Sequence, residues 1–261
     1  MANSNTGLGG PFQEVRARIQ KACQSAGLED EHARLLAVSK TFGPQAVLQA
    51  IAEGQWDFGE NYVQEAVEKR EAVAALLAQQ GGTPQKAVRW HFIGPLQSNK
   101  TREIAETMDW IHSIDRLKIA QRLIDQRPAQ LAPLQACLQV NISEEASKSG
   151  VLPGEEAVAL ALAIARLDPK AERLALRGLM AIPKASDNFA EQRHWFAKLR
   201  ELKQTINRAL AADGQCELDV LSMGMSADLE AAVAESEPSQ GFTWLRVGSA
   251  LFGTRGPKEA G

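Results

Sequence analysis

The stretch RLLAVSKTFGPQAVLQAIAEGQWDFGE, residues 34–60, contains one complete strand–helix–strand pattern. Its two ends, RLLAVS and WDFGE, are short and largely apolar, as buried strands are. The residues between them place apolar side chains at helical spacing, with Pro44 where a helix would begin and Gly54 where it would end. A strand, a helix and a second strand in this order form the unit from which parallel α/β sheets are built.

The same pattern recurs along the rest of the chain. Eight short apolar runs are predicted as strands, at residues 34–39, 56–60, 89–93, 109–114, 134–140, 174–180, 218–222 and 243–248. Amphipathic stretches separate these runs, and a further amphipathic helix is predicted over residues 11–26. Eight such units in about 250 residues match the usual size of a (β/α)8 barrel. An open doubly wound sheet is the main alternative, but no GxGxxG motif follows the first strand.

We therefore predict an α/β protein that forms a single (β/α)8 TIM barrel over residues 11–261, with its first helix preceding the barrel. Residues 1–10 are small and polar, and we expect them to be a flexible leader. Two segments rich in Gly, Pro and Ser, residues 78–88 and 236–242, are too short to separate domains.

Composition excludes several classes of function. Of the 261 residues, 44% are hydrophobic and 23% are charged, as in ordinary globular proteins. The net charge of −3 argues against a nucleic-acid partner. No apolar run approaches the ~20 residues that cross a bilayer, and no signal peptide is evident. We expect a cytoplasmic protein without a membrane partner, and a monomer, because nothing in the sequence marks an interface between copies.

Lys40 follows directly after the first predicted strand, where TIM barrels place their functional residues. A lysine amine is a nucleophile only when it is unprotonated, and burial favours that form. We expect burial in the barrel mouth to make Lys40 a Schiff-base lysine. The alternative is an ordinary lysine with a packed stem and a solvated ammonium group.

Two turns that combine glycine with serine follow the last two strands, in residues 221–233 and 246–253. The first leads into a helix predicted to begin near Ser226, and the second contains Gly248 and Ser249. Helix N-termini attract phosphate, and barrels commonly bind phosphate after their seventh and eighth strands. The alternative is that the glycines only permit sharp turns.

Arg246 alternates with Gly248 along the last strand and shares its face. If Arg246 points inward it needs an acceptor, for which a phosphate or a heteroaromatic nitrogen would serve. Met223 and Met225 are expected to be packing residues, and a thioether against a flat ring is a second role. An amine opposite a phosphate site fits pyridoxal 5′-phosphate, or a phosphorylated sugar bound by an aldolase-type lysine. Spacing alone does not separate these two ligands.

The sequence also resembles the YggS/PROSC family, the pyridoxal phosphate homeostasis proteins, across nearly the whole chain. The matching segments are LLAVSKT, FGENYVQEAVEK, WHFIGPLQSNKTR, IHSID, QVNISEEASKSGV, RGLMAIP, LSMGMSADLEAAV and RVGSALFGTR. The resemblance implies a barrel like the N-terminal domain of alanine racemase, with pyridoxal phosphate bound to Lys40 as a Schiff base. It also implies two sets of cofactor contacts: Ser222, Ser226, Gly248 and Ser249 around the phosphate, and Asn61, His91, Met223 and Arg246 near the cofactor.

Members of this family are thought to bind the cofactor and hand it over, which keeps its free concentration low, with no established turnover. Apo-enzymes that need pyridoxal phosphate are the possible recipients. We therefore expect a role in intracellular pyridoxal phosphate homeostasis, with no catalytic residue and no metal. The alternative is an amino-acid racemase, which needs a second acid/base from His91, His112 or the single tyrosine, Tyr62. Strand histidines are more often simply hydrogen-bonded in place, and only residues 250–261 remain after the last strand.

Two departures from the family pattern stand out. Phe42 occupies a position where many relatives carry a second lysine, which leaves Lys148 as a possible secondary amine. The connection before the last strand is also longer than usual, which leaves the position of Arg246 open.

Overall fold

The computed structural model describes residues 9–79, 86–237 and 241–253. Within them, eight parallel strands close into a barrel in sequence order. The strands are β1 Ala33–Val38, β2 Asp57–Glu60, β3 Arg89–Phe92, β4 Trp110–Ile114, β5 Leu134–Gln139, β6 Leu174–Met180, β7 Val220–Ser222 and β8 Phe242–Val247. All the predicted strands are confirmed, and each end lies within two residues of its prediction. The predicted (β/α)8 architecture is confirmed with them.

Helices surround the barrel in the described part of the chain. They are α1 Gly9–Ala26, α2 Pro44–Ala52, α3 Val63–Gln79, α4 Thr101–Thr107, α5 Leu117–Gln126, α6 Glu155–Leu167, α7 Phe189–Ala212, α8 Leu229–Ala234 and α9 Ser249–Phe252. Helix α1 begins two residues before the predicted start at residue 11, and residues 1–8 lie outside the described residues. None of the described helices has both the length and the apolar character to cross a membrane.

The predicted start of α8 near Ser226 is wrong. The helix begins at Leu229, three residues later, because the chain first makes a turn in which the Asp228 carboxylate accepts the Met225 N–H at 2.6 Å. Gly224 precedes this turn with a φ of +83°, and a Cβ there would lie 2.5 Å from the Ala232 Cβ. The position therefore needs glycine for both its backbone conformation and its contact with α8.

The apolar core has two parts, one between the strands and the helices and one inside the barrel. The inner part is small and consists of Leu36, Trp110, Cys137, Met180, Val220 and Trp244. Polar side chains share the barrel interior with it. His91 stacks on the Trp110 ring with centroids 5.5 Å apart, and its ring meets Trp244 edge-on at 4.9 Å. The interior of the barrel is thus packed with both apolar and polar side chains.

Candidate functional site at the carboxyl end of the barrel

Closure of the barrel brings the predicted lysine and the second glycine turn to neighbouring strand ends. Lys40 follows β1, while Gly248 and Ser249 follow β8, and these two strands pair along their length. A Cβ on Gly248 would lie 3.2 Å from the Val38 carbonyl oxygen, so the backbones at the ends of β1 and β8 approach closely here. Since β7 is the other neighbour of β8, its turn joins the same rim. The rim therefore holds Lys40 and both serine-bearing turns on adjacent strands.

The expectation that the barrel mouth buries Lys40 is wrong, because its side chain is exposed. Ser39 is fully buried, but the chain leaves the barrel wall immediately after it. Thr41 then adopts a φ of +70°, a left-handed conformation that is rare for a β-branched residue. This conformation costs about 1–2 kcal/mol. Lys40 thus sits in a strained turn on the rim, where solutes can reach it.

A buried ionic cluster lies behind this turn. The Lys69 ammonium donates to the Ser39 carbonyl at 2.7 Å, to Glu60 Oε1 at 2.7 Å and to Glu65 Oε1 at 2.9 Å. The Ser39 hydroxyl also donates to Glu60 Oε1, at 2.6 Å, and the Thr41 N–H donates to Glu65 Oε1. Burial raises the pKa of the Glu60 carboxyl, and the charge of Lys69 opposes that effect.

Sequence reasoning missed this cluster. Lys69 and Glu65 are charged residues one helical turn apart on α3, a spacing that usually marks a solvated pair. Only the structure shows that Lys69 is 4% exposed.

The residues after β7 are placed differently from one another. Ser222 and Met223 are fully buried, and Ser226 is half-buried on the rim. Met223 packs in the core between the strands and the helices, which confirms its packing role. The packing role expected for Met225 is wrong, since it is 38% exposed. Of this group, Ser226 and the exposed Met225 have side chains at the surface of the rim.

A continuous chain of hydrogen bonds crosses the barrel interior below the rim. Asp57, at the amino end of β2, contacts His91 Nε2 at 3.2 Å, and His91 Nδ1 contacts His112 Nε2 at 3.0 Å. His112 Nδ1 lies 2.7 Å from the Ser222 hydroxyl, which accepts from Arg246 Nη1 at 2.7 Å. His91 is therefore fully buried below the rim, and His112 is the histidine next to Ser222. The prediction that strand histidines are hydrogen-bonded in place is confirmed.

The proton positions along this series of hydrogen bonds follow from the ionisation of Asp57 at its end. Burial raises the pKa of Asp57, but hydrogen bonds from His91 and Arg89 outweigh burial and lower that pKa to about 2. Burial lowers the pKa of His91. Burial, the charge that a protonated His91 would carry and the charge of Arg246 lower the pKa of His112 well below its ordinary value. Both imidazoles are therefore neutral at pH 7.

An ionised Asp57 can only accept, so His91 carries its proton on Nε2 and accepts through Nδ1. His112 in turn carries its proton on Nε2, and its Nδ1 accepts from the Ser222 hydroxyl. The hydroxyl proton of Ser222 is therefore committed to His112. Toward a ligand, this serine can offer only a lone pair.

Arg246 points into the barrel and is 5% exposed. Its guanidinium donates to the Ser222 hydroxyl and, through Nη2, to the Ala181 carbonyl at 2.9 Å. Burial lowers its pKa to about 10, so it remains cationic at neutral pH. Arg246 therefore points inward, as one alternative predicted, and the protein itself supplies acceptors for its guanidinium.

Asn61 and Tyr62 follow β2 at the same rim. Asn61 is half-buried, and its side-chain oxygen is buried without a hydrogen-bond partner among the described residues. Tyr62, by contrast, is 58% exposed. An amide oxygen in this position is an acceptor that a bound molecule with a donor group could use.

Comparison with known proteins assigns the chain to a family. A family model described as the alanine racemase N-terminal domain matches residues 12–256. The pyridoxal phosphate homeostasis protein of Pseudomonas aeruginosa is 52% identical over 242 residues, which cover 93% of each chain. The chain belongs to the pyridoxal phosphate homeostasis protein family.

Solved structures agree with membership of this family. An unknown protein from Bifidobacterium adolescentis is 32% identical, with a TM-score of 0.81 over 97% of both chains. PipY of Synechococcus elongatus, solved with pyridoxal phosphate bound, is 31% identical, with a TM-score of 0.71, and the match covers 94% of this chain and all of PipY. The family and the racemase-like barrel inferred from the motifs are confirmed.

The two departures from the family pattern have clear positions in the structure. The Phe42 ring packs against Phe252 of α9, with centroids 5.2 Å apart, and so joins the Lys40 turn to the Gly248 turn. The longer connection before β8 includes residues 238–240, which lie outside the described residues, and β8 nevertheless presents Arg246 to the interior. Lys148 pairs with Glu145 at 2.7 Å within the loop after β5.

Proposed function

We propose that this protein binds pyridoxal 5′-phosphate at the carboxyl rim of its barrel, holds it as a Schiff base on Lys40, and takes part in intracellular pyridoxal phosphate homeostasis. The observation that carries the proposal is the meeting of Lys40 with the Gly248–Ser249 turn on paired strands. The names of its relatives and the pyridoxal phosphate bound in PipY support the choice of ligand.

In this proposal the Lys40 amine attacks the aldehyde carbon, a C=N bond forms, and water leaves. The phosphate lies near Ser226, Gly248 and Ser249, whose side chains and backbone N–H groups can donate to it. Arg246 supplies a buried positive charge beneath the ligand. Ser222 and His91 act from below, as members of the hydrogen-bonded chain, and Met223 acts through packing. Asn61 offers its partnerless oxygen from the neighbouring strand end.

The exposure of Lys40 favours a carrier over an enzyme. An imine on an exposed lysine can be reached by water and by an incoming amine, so the bound aldehyde can be released again. A racemase instead needs an acid/base group poised on the far side of its substrate. His91 and His112 are engaged with each other, and Tyr62 is mostly exposed. We therefore propose buffering and delivery to apo-enzymes without turnover, by a cytoplasmic monomer whose residues 11–261 form one domain.

Incubation with pyridoxal phosphate, borohydride reduction and mass spectrometry of the peptides test this proposal. We expect an imine absorbance and a reduced label on Lys40, both lost in Lys40→Ala. Lys148→Ala is the matched control, because it removes another amine from the carboxyl side of the barrel and should leave the label in place. A protein that stays colourless and unlabelled contradicts the proposal. Solvent deuterium exchange at the Cα of an amino acid, lost in Lys40→Ala, would support the racemase instead.

A further inference from the structure

The ionic cluster behind the rim touches the main chain on both sides of Lys40. The Ser39 carbonyl belongs to the peptide group that precedes Lys40, and it accepts from Lys69 at 2.7 Å. The Thr41 N–H belongs to the peptide group that follows Lys40, and it donates to Glu65. Both peptide planes flanking Lys40 are therefore tied to α3. Together they determine where the Lys40 side chain leaves the backbone.

The turn needs such support. Thr41 is held in the left-handed region, which a β-branched residue avoids unless its surroundings impose it. Lys69 joins Glu65 to Glu60 and to the end of β1, so the same ammonium connects the helix to the barrel wall. Strain that is imposed by a buried network at the base of a reactive side chain is typical of functional sites.

We propose that Lys69 and Glu65 are positioning residues that hold the backbone of Lys40 in the geometry its amine needs for imine formation. This inference rests on the function proposed above. The cluster lies behind the turn and acts through the Ser39 and Thr41 peptide groups. Without it the turn can relax, and the amine spends less time within reach of the aldehyde. A small misplacement of a reacting group can lower its effectiveness by one to two orders of magnitude.

The experiment compares two probes, pyridoxal 5′-phosphate and pyridoxine 5′-phosphate, which carries an alcohol in place of the aldehyde and forms no imine. The dissociation constant of pyridoxine 5′-phosphate divided by that of pyridoxal 5′-phosphate measures how much the imine adds to affinity. The phosphate contacts, which both probes share, cancel in this ratio. In Lys69→Met and Glu65→Ala we expect this ratio to fall about tenfold, while the affinity for pyridoxine 5′-phosphate stays the same. In Glu65→Gln the remaining amide oxygen can still accept from Thr41, and the ratio should recover toward that of the unmodified protein.

Lys203→Met is the control for a general loss of stability. Lys203 is 1% exposed and pairs with Glu237 at 2.7 Å, so its removal also disrupts a buried lysine–glutamate pair, away from the Lys40 turn. Its ratio should not change. If Lys69→Met does not fold, Glu65→Ala decides, because that side chain is 28% exposed and easier to remove.

An unchanged ratio in folded Lys69→Met or Glu65→Ala overturns the inference, and so does an equal fall in Lys203→Met. A ratio near one in the unmodified protein, without a borohydride label on Lys40, is a different result. That outcome refutes the proposed function itself.

Discussion

Replacing Asp57 by asparagine tests the acidic end of the buried hydrogen-bonded chain. The pKa of Asp57 is about 2 instead of its ordinary 3.8. At about 1.4 kcal/mol for each pH unit, this difference stabilises the folded protein by roughly 2 kcal/mol wherever the carboxyl is ionised in both states. The pKa is lower in the folded state, so the stabilisation is present above about pH 4 and is lost as the pH falls toward 2. Asp57→Asn should therefore cost about 2 kcal/mol at pH 7 and about half of that near pH 3.

Urea unfolding at pH 7, 5, 4 and 3 measures this difference in the free energy of unfolding between the two proteins. Asp219→Asn is the matched control, because Asp219 also forms a two-pronged pair with an arginine, Arg177, at the amino end of the barrel, as Asp57 does with Arg89, but the Asp219 side chain is 41% exposed. Its loss should cost no more than about 1 kcal/mol. A cost for Asp57→Asn that stays constant from pH 7 to pH 3 would refute the proposed direction of the chain, in which an ionised Asp57 sets the histidine protons.

Two further predictions concern the rim. Gly224→Ala should lower the free energy of unfolding by about 2–4 kcal/mol in urea, because its Cβ would meet Ala232 at 2.5 Å and its φ is positive. Gly214→Ala shares the positive φ with open space around it and should cost only about 1 kcal/mol, so equal losses would contradict the contact argument. Ser222→Ala should lower the free energy of unfolding by about 1–3 kcal/mol, because His112 and Arg246 each lose the hydrogen bond that this buried hydroxyl makes. Ser249→Ala removes an exposed hydroxyl, so it should weaken pyridoxal phosphate binding and change the free energy of unfolding by less than about 0.5 kcal/mol. A Ser249→Ala protein with unchanged affinity would contradict its assigned place near the phosphate.

The rim could be predicted from the sequence because barrel topology converts order along the chain into position. Once the strands are located, the residues that follow each strand must share one end of the barrel. Lys40, Gly248 and Ser249 are located in this way. The helix predicted to begin near Ser226 starts later because a single carboxylate, contributed by Asp228, makes a local turn that periodicity does not register.

The chain by itself determined the strands, their order and the amine at the end of β1, because a strand enclosed by helices must carry its apolar residues in the local sequence. Tertiary structure decided the exposure of that amine and the groups that hold it. Lys69 reaches the Ser39 carbonyl across 30 residues, and His112 meets Ser222 across 110. Contacts of this kind form only when the barrel closes. The chemistry of a side chain specifies which groups it can bind, but only the fold specifies which groups lie within hydrogen-bonding distance of about 3 Å.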